Sequence, residues 1–233
     1  MDRPAVTYKN RVLAALPRAE INRLAPHLSA VTLPQEKMLL DGNARYAYFL
    51  EQGIASVVVT LQNGDTVEVG IIGRDGVVGI PILLGTDRTL GRTFIQVAGS
   101  GFRIGAEVLK EEFDRPGRLR EHVQAYMQGF LVQTAQTAAC NRLHNIEERL
   151  ARWLLSCHDR METDILPLTQ DFLSQMLGAP RTTVTLAAGL LQRSGMIEHS
   201  RGVVIIKDRS SLEEAACECY RTVRDEFRRL KLL

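Results

Sequence analysis

The sequence predicts an α+β protein with an N-terminal antiparallel β-roll of the jelly-roll-like kind, a long central helix and a C-terminal winged helix-turn-helix. Short β-rich runs separated by turn residues occupy the first half of the chain. A segment without proline then runs from Arg118 to about Asn141, with apolar residues at steps of 4, 3 and 4. Near the C-terminus, two amphipathic helices joined at Gly178 precede a β-hairpin.

Length and composition are those of an ordinary globular protein. The chain has 233 residues, which suits two domains, with 45% hydrophobic and 24% charged residues. Its net charge of +2 gives little indication of a nucleic-acid partner. No secretion signal is visible, and no apolar run approaches the ~20 residues of a membrane helix. We therefore expect a cytoplasmic protein without a membrane partner, in which the cysteines are reduced.

The first predicted domain, residues 1–115, is the roll, preceded by one or two short helices. The Asn63-Gly64 pair lies between two alternating segments and indicates a hairpin. Both central residues of the tight turn that this pair favours need positive φ. The glycine-rich stretch from Gly73 to Gly85 interrupts the strands and is predicted to be a loop with one helical turn.

Residues 116–144 are predicted to form a dimerisation helix that ends in a hinge. A helix of ~24 residues is about 36 Å long. Its apolar stripe must be buried either on the roll of the same chain or on a second copy. A homodimer is the more economical solution, so the stripe is the predicted dimer interface. The members of the stripe are Leu119, Val123, Tyr126 and Phe130.

The third predicted domain, residues 145–233, contains the helix pair. Thr169 suits the N-cap of the first helix, and Pro180 suits the first turn of the second. Polar residues near the start of the second helix, followed by a hairpin wing, are typical of a helix that enters the DNA major groove. The alternative is an ordinary helix pair packed in a core. The residues assigned to the buried side of the second helix are Val184, Leu186, Ala187, Leu190 and Leu191.

The roll, long helix and winged motif, in this order, resemble the Crp–Fnr family of bacterial transcription regulators over nearly the whole chain. The most specific sequences are GIPILLG preceding RTF, RLARWLL, and LTQDFLSQMLGAPRTTVTLAAGLLQRSGMIE. The resemblance implies a homodimer that binds a palindromic site in double-stranded DNA and contacts RNA polymerase. A small-molecule effector at the roll would shift the placement of the DNA-reading domains.

The resemblance also implies which residues contact DNA. The family's recognition helix commonly begins Ser-Arg-Glu-Thr-Val, where this chain has Pro-Arg-Thr-Thr-Val. Arg181 keeps the position that donates to guanine, while Thr182 replaces a Glu that accepts from cytosine. Leu186 stands where several members have a second base-reading arginine, so the operator should differ from the common one. Phosphate contacts are expected from Thr169, Gln170, His199 and Arg201. The other predicted DNA contacts are Pro180, Arg181, Thr182, Thr183 and Thr185.

The effector site that the resemblance implies lies in the roll. Members that bind cyclic AMP hold its phosphate with an Arg followed by Ser or Thr, matched here by Arg92 and Thr93. They hold the ribose with a Glu after a Gly, where this chain has Gly79 and Ile80. Ile80 would leave the ribose hydroxyl without its charged acceptor, which argues against a cyclic nucleotide as cofactor. Thr134 aligns with a position that contacts adenine. A roll that binds nothing is the alternative.

No metal site is predicted from the cysteines. The chain has no cysteine before Cys140, which argues against the iron–sulfur cluster of one family branch. Cys140 and Cys157 are interpreted as buried small hydrophobes. Cys217 and Cys219, if both lie on one helix, would point their thiols about 200° apart, a poor geometry for joint ligation.

No catalytic residues are predicted either. His144 and His158 are interpreted as cap or surface residues. The sequence lacks a Ser–His–Asp arrangement, a GxxxxGK[ST] loop, and HExxH or CxxC spacing, so an enzyme is not expected. The alternative to a gene regulator is a cyclic-nucleotide-binding regulatory module without DNA-binding activity.

Overall fold

The predicted roll is present at the start of the chain. The computed structural model describes residues 7–86 and 88–233. Two short helices, α1 (Arg11–Ala14) and α2 (Arg18–Leu24), and a 3-10 turn (Ala25–His27) lead into the roll. Its antiparallel strands are β1 (Ser29–Leu33), β2 (Met38–Asn43), β3 (Tyr46–Thr60), β4 (Thr66–Ile72) and β5 (Arg88–Gly105), and the helical turn α3 (Ile80–Leu83) precedes β5. The sheet curls because the long strand β5 pairs with β1, β2 and β3 along its length.

The hairpin predicted at Asn63-Gly64 joins β3 to β4, but its turn is wider than predicted. The backbone N–H of Leu61 donates to the carbonyl of Asp65 at 2.8 Å, so the loop spans Leu61 to Asp65. Gly64 has φ of +91°, whereas Asn63 does not adopt a positive φ. The prediction of two positive φ angles is therefore wrong, and the loop is one of the longer hairpin types that need glycine at a single position.

Helix α4 (Ala106–Asp114) leads into the long helix α5 (Arg118–Leu143). The dimer interface predicted on α5 is wrong, because the apolar stripe packs on the roll of its own chain. The three stripe residues buried in the roll core are Leu119, Val123 and Tyr126, and Phe130 packs against that core. A Cβ atom at Gly76 would lie 2.1 Å from the Tyr126 ring, and one at Gly70 would lie 2.8 Å from the Phe130 ring. These glycines therefore allow the helix to approach the sheet closely.

The C-terminal part forms the predicted winged helix-turn-helix. Its elements are α6 (Ile146–Met161), β6 (Ile165–Leu166), α7 (Gln170–Leu177), α8 (Arg181–Arg193), β7 (Ile197–Ser200), β8 (Val203–Ile206), α9 (Arg209–Ala215) and α10 (Glu218–Arg229). Asn145 begins α6 in a reciprocal capping box with Glu148. Strand β6, too short to be visible in the sequence pattern, pairs with β8 beside the β7–β8 hairpin.

The two halves of the chain share their apolar cores. The core of the roll includes Phe227 and Leu232, because α10 returns to pack along α5. The core of the C-terminal part includes Ile54 and Val58 of β3. The roll and the C-terminal part are therefore packed together rather than joined by the segment before Asn145 alone. Among the described residues, no helix combines the length and apolar character needed to cross a bilayer.

Candidate nucleic-acid interface

The helix-turn-helix is built by local capping. The Thr169 side chain accepts a hydrogen bond from the backbone N–H of Phe172 at 3.2 Å and so begins α7. Gly178 ends α7 with φ of +56°, the left-handed conformation that glycine adopts without steric cost. Pro180 is the N-cap of α8 and is exposed, one position earlier than predicted. This sharp turn places the start of α8 at the surface.

The start of α8 presents an exposed face. Arg181, Thr182, Thr185 and Leu186 are all exposed and border one shallow groove. Thr183 is half-buried beside them. The alternative of a helix pair with these side chains inside a core is therefore wrong.

Two leucines of α8 were assigned to its buried side, although the family resemblance placed one of them, Leu186, at a base-reading position. Leu186 is 69% exposed and Leu190 is 44% exposed, so their assignment to the buried side is wrong. The residues of α8 that are buried are Val184, Ala187, Ala188 and Leu191. Helical spacing offered a signal, since Leu186 follows Thr182 by one turn and shares its face.

Arg181, the predicted guanine donor, forms an ion pair in the free protein. Its Nη1 lies 2.8 Å from Oδ1 of Asp171 on α7, and both side chains are largely exposed. An exposed pair of this kind contributes about 0–1 kcal/mol. The guanidinium can therefore leave Asp171 for a stronger bidentate acceptor at little cost.

A polar chain connects α8 to the wing. The Thr185 hydroxyl lies within hydrogen-bond distance of Oε1 of Gln170 and of the Arg181 carbonyl. Nε2 of Gln170 lies 3.5 Å from Nδ1 of His199. The other ring nitrogen, Nε2 of His199, is buried without a hydrogen-bond partner in the described part of the chain. Burial lowers the pKa of His199, so the ring is neutral near pH 7. The phosphate contact of His199 stays a prediction, and it would require the buried Nε2 to become accessible.

The tip of the wing carries a second exposed arginine. Arg201 and Gly202 have φ of +33° and +85°, the pair of positive angles that a two-residue hairpin turn requires. A Cβ atom at Gly202 would lie 3.4 Å from Cγ2 of Thr169. The tip of the wing therefore lies beside the start of α7, and Arg201 and Thr169 share one surface.

The predicted effector residues are only partly brought together. Gly79 and Thr93 line a cavity of about 180 Å³ between the roll and α5, together with Ile80 and mainly apolar neighbours. Arg92 points away and lies at the surface, with Nε 3.4 Å from Oδ2 of Asp41, because adjacent residues of a strand face opposite sides. Thr134 lies outside this lining, and its hydroxyl donates to the carbonyl of Phe130 at 2.9 Å. Ligand pockets are usually about 300–1,000 Å³.

A buried polar network joins the roll to α6, and no sequence pattern indicated it. Nε1 of Trp153 donates to Oε1 of Glu68 at 2.6 Å. The hydroxyl of Ser56 lies 2.6 Å both from Oε2 of Glu68 and from Oε1 of Gln96. A hydroxyl has a single proton to donate. A protonated Glu68 supplies the missing donor, consistent with burial raising the pKa of Glu68 to about 7.

The cysteines depart from the sequence interpretation. Cys140 and Cys157 are buried, as predicted. Cys217, however, is the N-cap of α10, with extended backbone angles, rather than a helical residue. The predicted separation of the Cys217 and Cys219 thiols is therefore wrong. The sulfur atoms of Cys217 and Cys219 both lie within 4.8 Å of the Cys140 sulfur and of a ring nitrogen of His144.

Comparison with known proteins identifies the winged motif. Residues 148–215 match the family described as the Crp-like helix-turn-helix domain. The chain is 27% identical over 178 residues to the transcriptional regulator SdrP of Thermus thermophilus, which covers 73% of this chain and 83% of SdrP.

Solved structures share the fold of nearly the whole chain. A Eubacterium rectale chain assigned to the Crp/Fnr family has a TM-score of 0.68 at 15% identity, covering 88% of this chain and 97% of that one. FixK2 of Bradyrhizobium japonicum has a TM-score of 0.70 at 14% identity, covering 82% and 98%. The chain thus has a Crp-like helix-turn-helix domain in residues 148–215 and the overall fold of solved Crp/Fnr proteins.

Proposed function

We propose that this protein is a transcriptional regulator of the Crp/Fnr type, which acts in the cytoplasm as a homodimer that binds a palindromic site in double-stranded DNA. The main support for this proposal is one exposed face at the start of α8, which the turn at Gly178 places at the surface. The face consists of Arg181, Thr182, Thr185 and Leu186. In a helix-turn-helix, these first residues of the second helix meet base edges in the major groove. A regulator of this type would then change transcription through contact with RNA polymerase.

Each side chain of the face suits a particular contact. Arg181 has the donor fork that matches O6 and N7 of guanine. Thr182 and Thr185 can offer a hydroxyl to a base edge, and Leu186 can offer methyl groups to the methyl of thymine. The proposed phosphate contacts, which fix register without reading sequence, are Thr169, Gln170, Thr183 and Arg201. Pro180 has no N–H to donate, so its proposed contact with DNA is by van der Waals packing alone.

The second copy is proposed to pack on the outer face of α5, opposite the stripe that lies on the roll. This outer face repeats at steps of 3 and 4 residues, as in a coiled-coil seam. Leu131, 64% exposed, is its large apolar residue. The exposed members of the outer face are Glu121, Gln124, Gln128, Leu131, Ala135, Ala138 and Arg142.

The input domain is proposed to be the roll, residues 1–115, with residues 116–144 as the dimerisation helix and 145–233 as the DNA-binding part. A cyclic nucleotide is not proposed as the effector. The cavity beside Gly79 and Thr93 is about 180 Å³ and mainly apolar, and Arg92 faces away from it.

The decisive experiment is selection of binding sites from a pool of randomised duplex DNA with the full-length protein. We expect enrichment of an inverted repeat whose half-sites are one helical turn or a multiple apart. Absence of any enriched sequence would contradict the proposal and favour a regulatory module without DNA-binding activity.

Arg181→Ala tests the role of the recognition helix on the selected site. Specific binding should weaken by the 1–3 kcal/mol of a lost bidentate pair, about 5- to 150-fold, while binding to random DNA falls less. Arg45→Ala, which removes an equal charge from an exposed position on the roll, is the control and should leave affinity unchanged. An equal loss of affinity on all sequences would indicate that Arg181 contacts phosphate rather than a base.

A further inference from the structure

Four metal-ligand side chains meet where the end of α5 faces the start of α10. We call Cys140, His144, Cys217 and Cys219 the junction cluster. Its three sulfur atoms and a ring nitrogen all lie within 4.8 Å of one another. The Sγ atoms of Cys140 and Cys217 are 3.5 Å apart, and Sγ of Cys219 is 3.7 Å from Nδ1 of His144.

These separations are close to those around a tetrahedral zinc ion. With Zn–S of about 2.3 Å and Zn–N of about 2.0–2.1 Å, two sulfur ligands lie roughly 3.8 Å apart. A sulfur and a nitrogen ligand lie roughly 3.5 Å apart. Both of these distances are within a few tenths of an ångström of the expected values. The remaining separations are at most 4.8 Å, so the widest would close by up to about 1 Å to complete the coordination shell.

The local backbone explains how four ligands converge. Cys140 and His144 are one turn apart on α5, with His144 at its C-cap, so both side chains lie on one face. Cys217 is the extended N-cap of α10, and Cys219 lies in the first turn of that helix. This change of conformation between Cys217 and Cys219 turns both thiols toward α5.

The cysteines of the junction cluster are not part of either apolar core. They are buried against one another as a separate group, with Cys140 at 0%, Cys217 at 5% and Cys219 at 3% exposure. Buried cysteines that act as small hydrophobes would pack among leucine and valine side chains, as Cys157 does in the core of the C-terminal part. The separate grouping of the three sulfurs points to ligation rather than packing.

The surroundings of the junction cluster also suit a metal ion. With Nδ1 of His144 facing the sulfur, the other ring nitrogen, Nε2, lies 3.1 Å from the carboxylate of Glu218. Metal-binding histidines usually have a carboxylate on the second nitrogen, which orients the ring.

The positive charge of buried Arg152 acts on two of the same ligands, Cys140 and Cys219. Arg152 on α6 acts electrostatically on Cys140, and its Nε is buried without a hydrogen-bond partner in residues 7–86 and 88–233. A divalent ion with three thiolates and a neutral imidazole carries one net negative charge. The guanidinium of Arg152 would offset that charge.

We propose that the junction cluster is a closed four-coordinate Zn²⁺ site that fastens α10 to the end of α5. The site is outside the matched helix-turn-helix domain, which ends at residue 215. The ligands flank the hinge before Asn145, so bound metal fixes the direction in which α6 and the DNA-reading helices leave α5. This consequence for DNA rests on the proposed function, whereas metal binding itself does not.

Metal binding is tested with the full-length protein kept under reductant. After incubation with Zn²⁺ and dialysis, elemental analysis should find about one ion per chain. Co²⁺ in its place should give the intense visible bands of four-coordinate sulfur ligation. Cys219→Ser and His144→Gln should abolish these bands, while Cys157→Ala, which removes an equally buried cysteine elsewhere, should keep them.

If the ligand variants fail to fold, Glu218→Gln tests the metal site without removing any of the four ligands. Its side chain is 79% exposed, so the fold should tolerate the change. Loss of the negative charge on this partner of His144 should weaken metal affinity, by up to the roughly 10- to 100-fold typical of such outer-shell changes. Absence of retained metal and of cobalt bands in the folded wild-type protein would overturn the proposal. Formation of a Cys140–Cys217 disulfide without metal affinity would also overturn it and would indicate a redox pair.

The effect on DNA is tested separately. Protein stripped with a chelator should bind the selected operator more weakly than the zinc-loaded protein, and added Zn²⁺ should restore affinity. Equal affinity of both forms would overturn the hinge role while leaving the metal site intact. Failure to select any operator would contradict the proposed function without affecting the cobalt spectrum.

Discussion

The buried carboxyl group of Glu68, on β4 of the roll, accepts a hydrogen bond from Trp153 of α6. Its burial and its hydrogen-bond partners determine whether it is protonated. Because burial raises its pKa from 4.5 to about 7, the folded protein holds a proton that the unfolded chain releases earlier. The stability that Glu68 contributes is full below about pH 4.5 and is lost as the pH rises through 7. The loss is on the order of 3 kcal/mol.

Glu68→Gln should remove this pH dependence. The amide can donate to the Ser56 hydroxyl and accept from Trp153, as the protonated acid does. In urea unfolding between about pH 5 and pH 8, the wild type should lose more stability than the variant. Glu107→Gln, an exposed carboxyl on α4, should behave like the wild type. Parallel pH profiles of the wild type and Glu68→Gln would contradict the assignment.

Leu186 gives a prediction about sequence preference. Leu186→Arg should create a preference for guanine at one position of each half-site, worth about 1–3 kcal/mol. Site selection with the variant measures this change directly. Leu190→Arg, one turn further along α8 and also partly exposed, is the matched control and should leave the selected sequence unchanged. An unchanged sequence for both variants would place Leu186 outside the groove.

Some residues of the site could be predicted from the chain, and others could not. The exposure of Arg181, Thr182 and Thr185 follows from helical spacing and from the Gly178 turn, both of which are local. The contact of His199 Nδ1 with Gln170 joins two residues that are distant in sequence. The proximity of Cys140 to Cys217 depends on the return of α10, which no local pattern specifies.

Among the elements, α5 is the one whose two faces have different roles. Sequence periodicity correctly predicted the helix and its apolar stripe, but not the surface that the stripe covers. Burial on the roll and burial on a second copy need the same hydrophobic pattern. The glycines of the roll, such as Gly70 and Gly76, decide between them by making room for aromatic rings.

Leu131→Asp should therefore yield a monomer, because it places a charge in the proposed seam between two copies of α5. Light scattering would detect the change in mass, and thermal unfolding should show an intact roll. Phe130→Asp, its neighbour, should instead destabilise the fold by on the order of 3 kcal/mol, because it buries a carboxylate beneath the roll. A dimeric Leu131→Asp protein would disprove the seam.

At the scale of the molecule, the overall order of roll, long helix and winged domain was predictable, because each part has its own periodicity and turn residues. The packing between these parts was not. Ile54 and Val58 of the roll belong to the same core as Trp153 of α6, although nearly a hundred residues separate them in sequence. The roll and the winged domain are thus in direct contact through one shared core.

The presence of Phe227 and Leu232 in the core of the roll has a consequence for biosynthesis. Chains leave the ribosome N-terminus first, and N-terminal domains usually fold first. Here the roll lacks part of its interior until translation has passed Leu232. The core of the nascent roll therefore stays incomplete while the C-terminal half is synthesised. We expect the two halves to complete their folding together rather than one after the other.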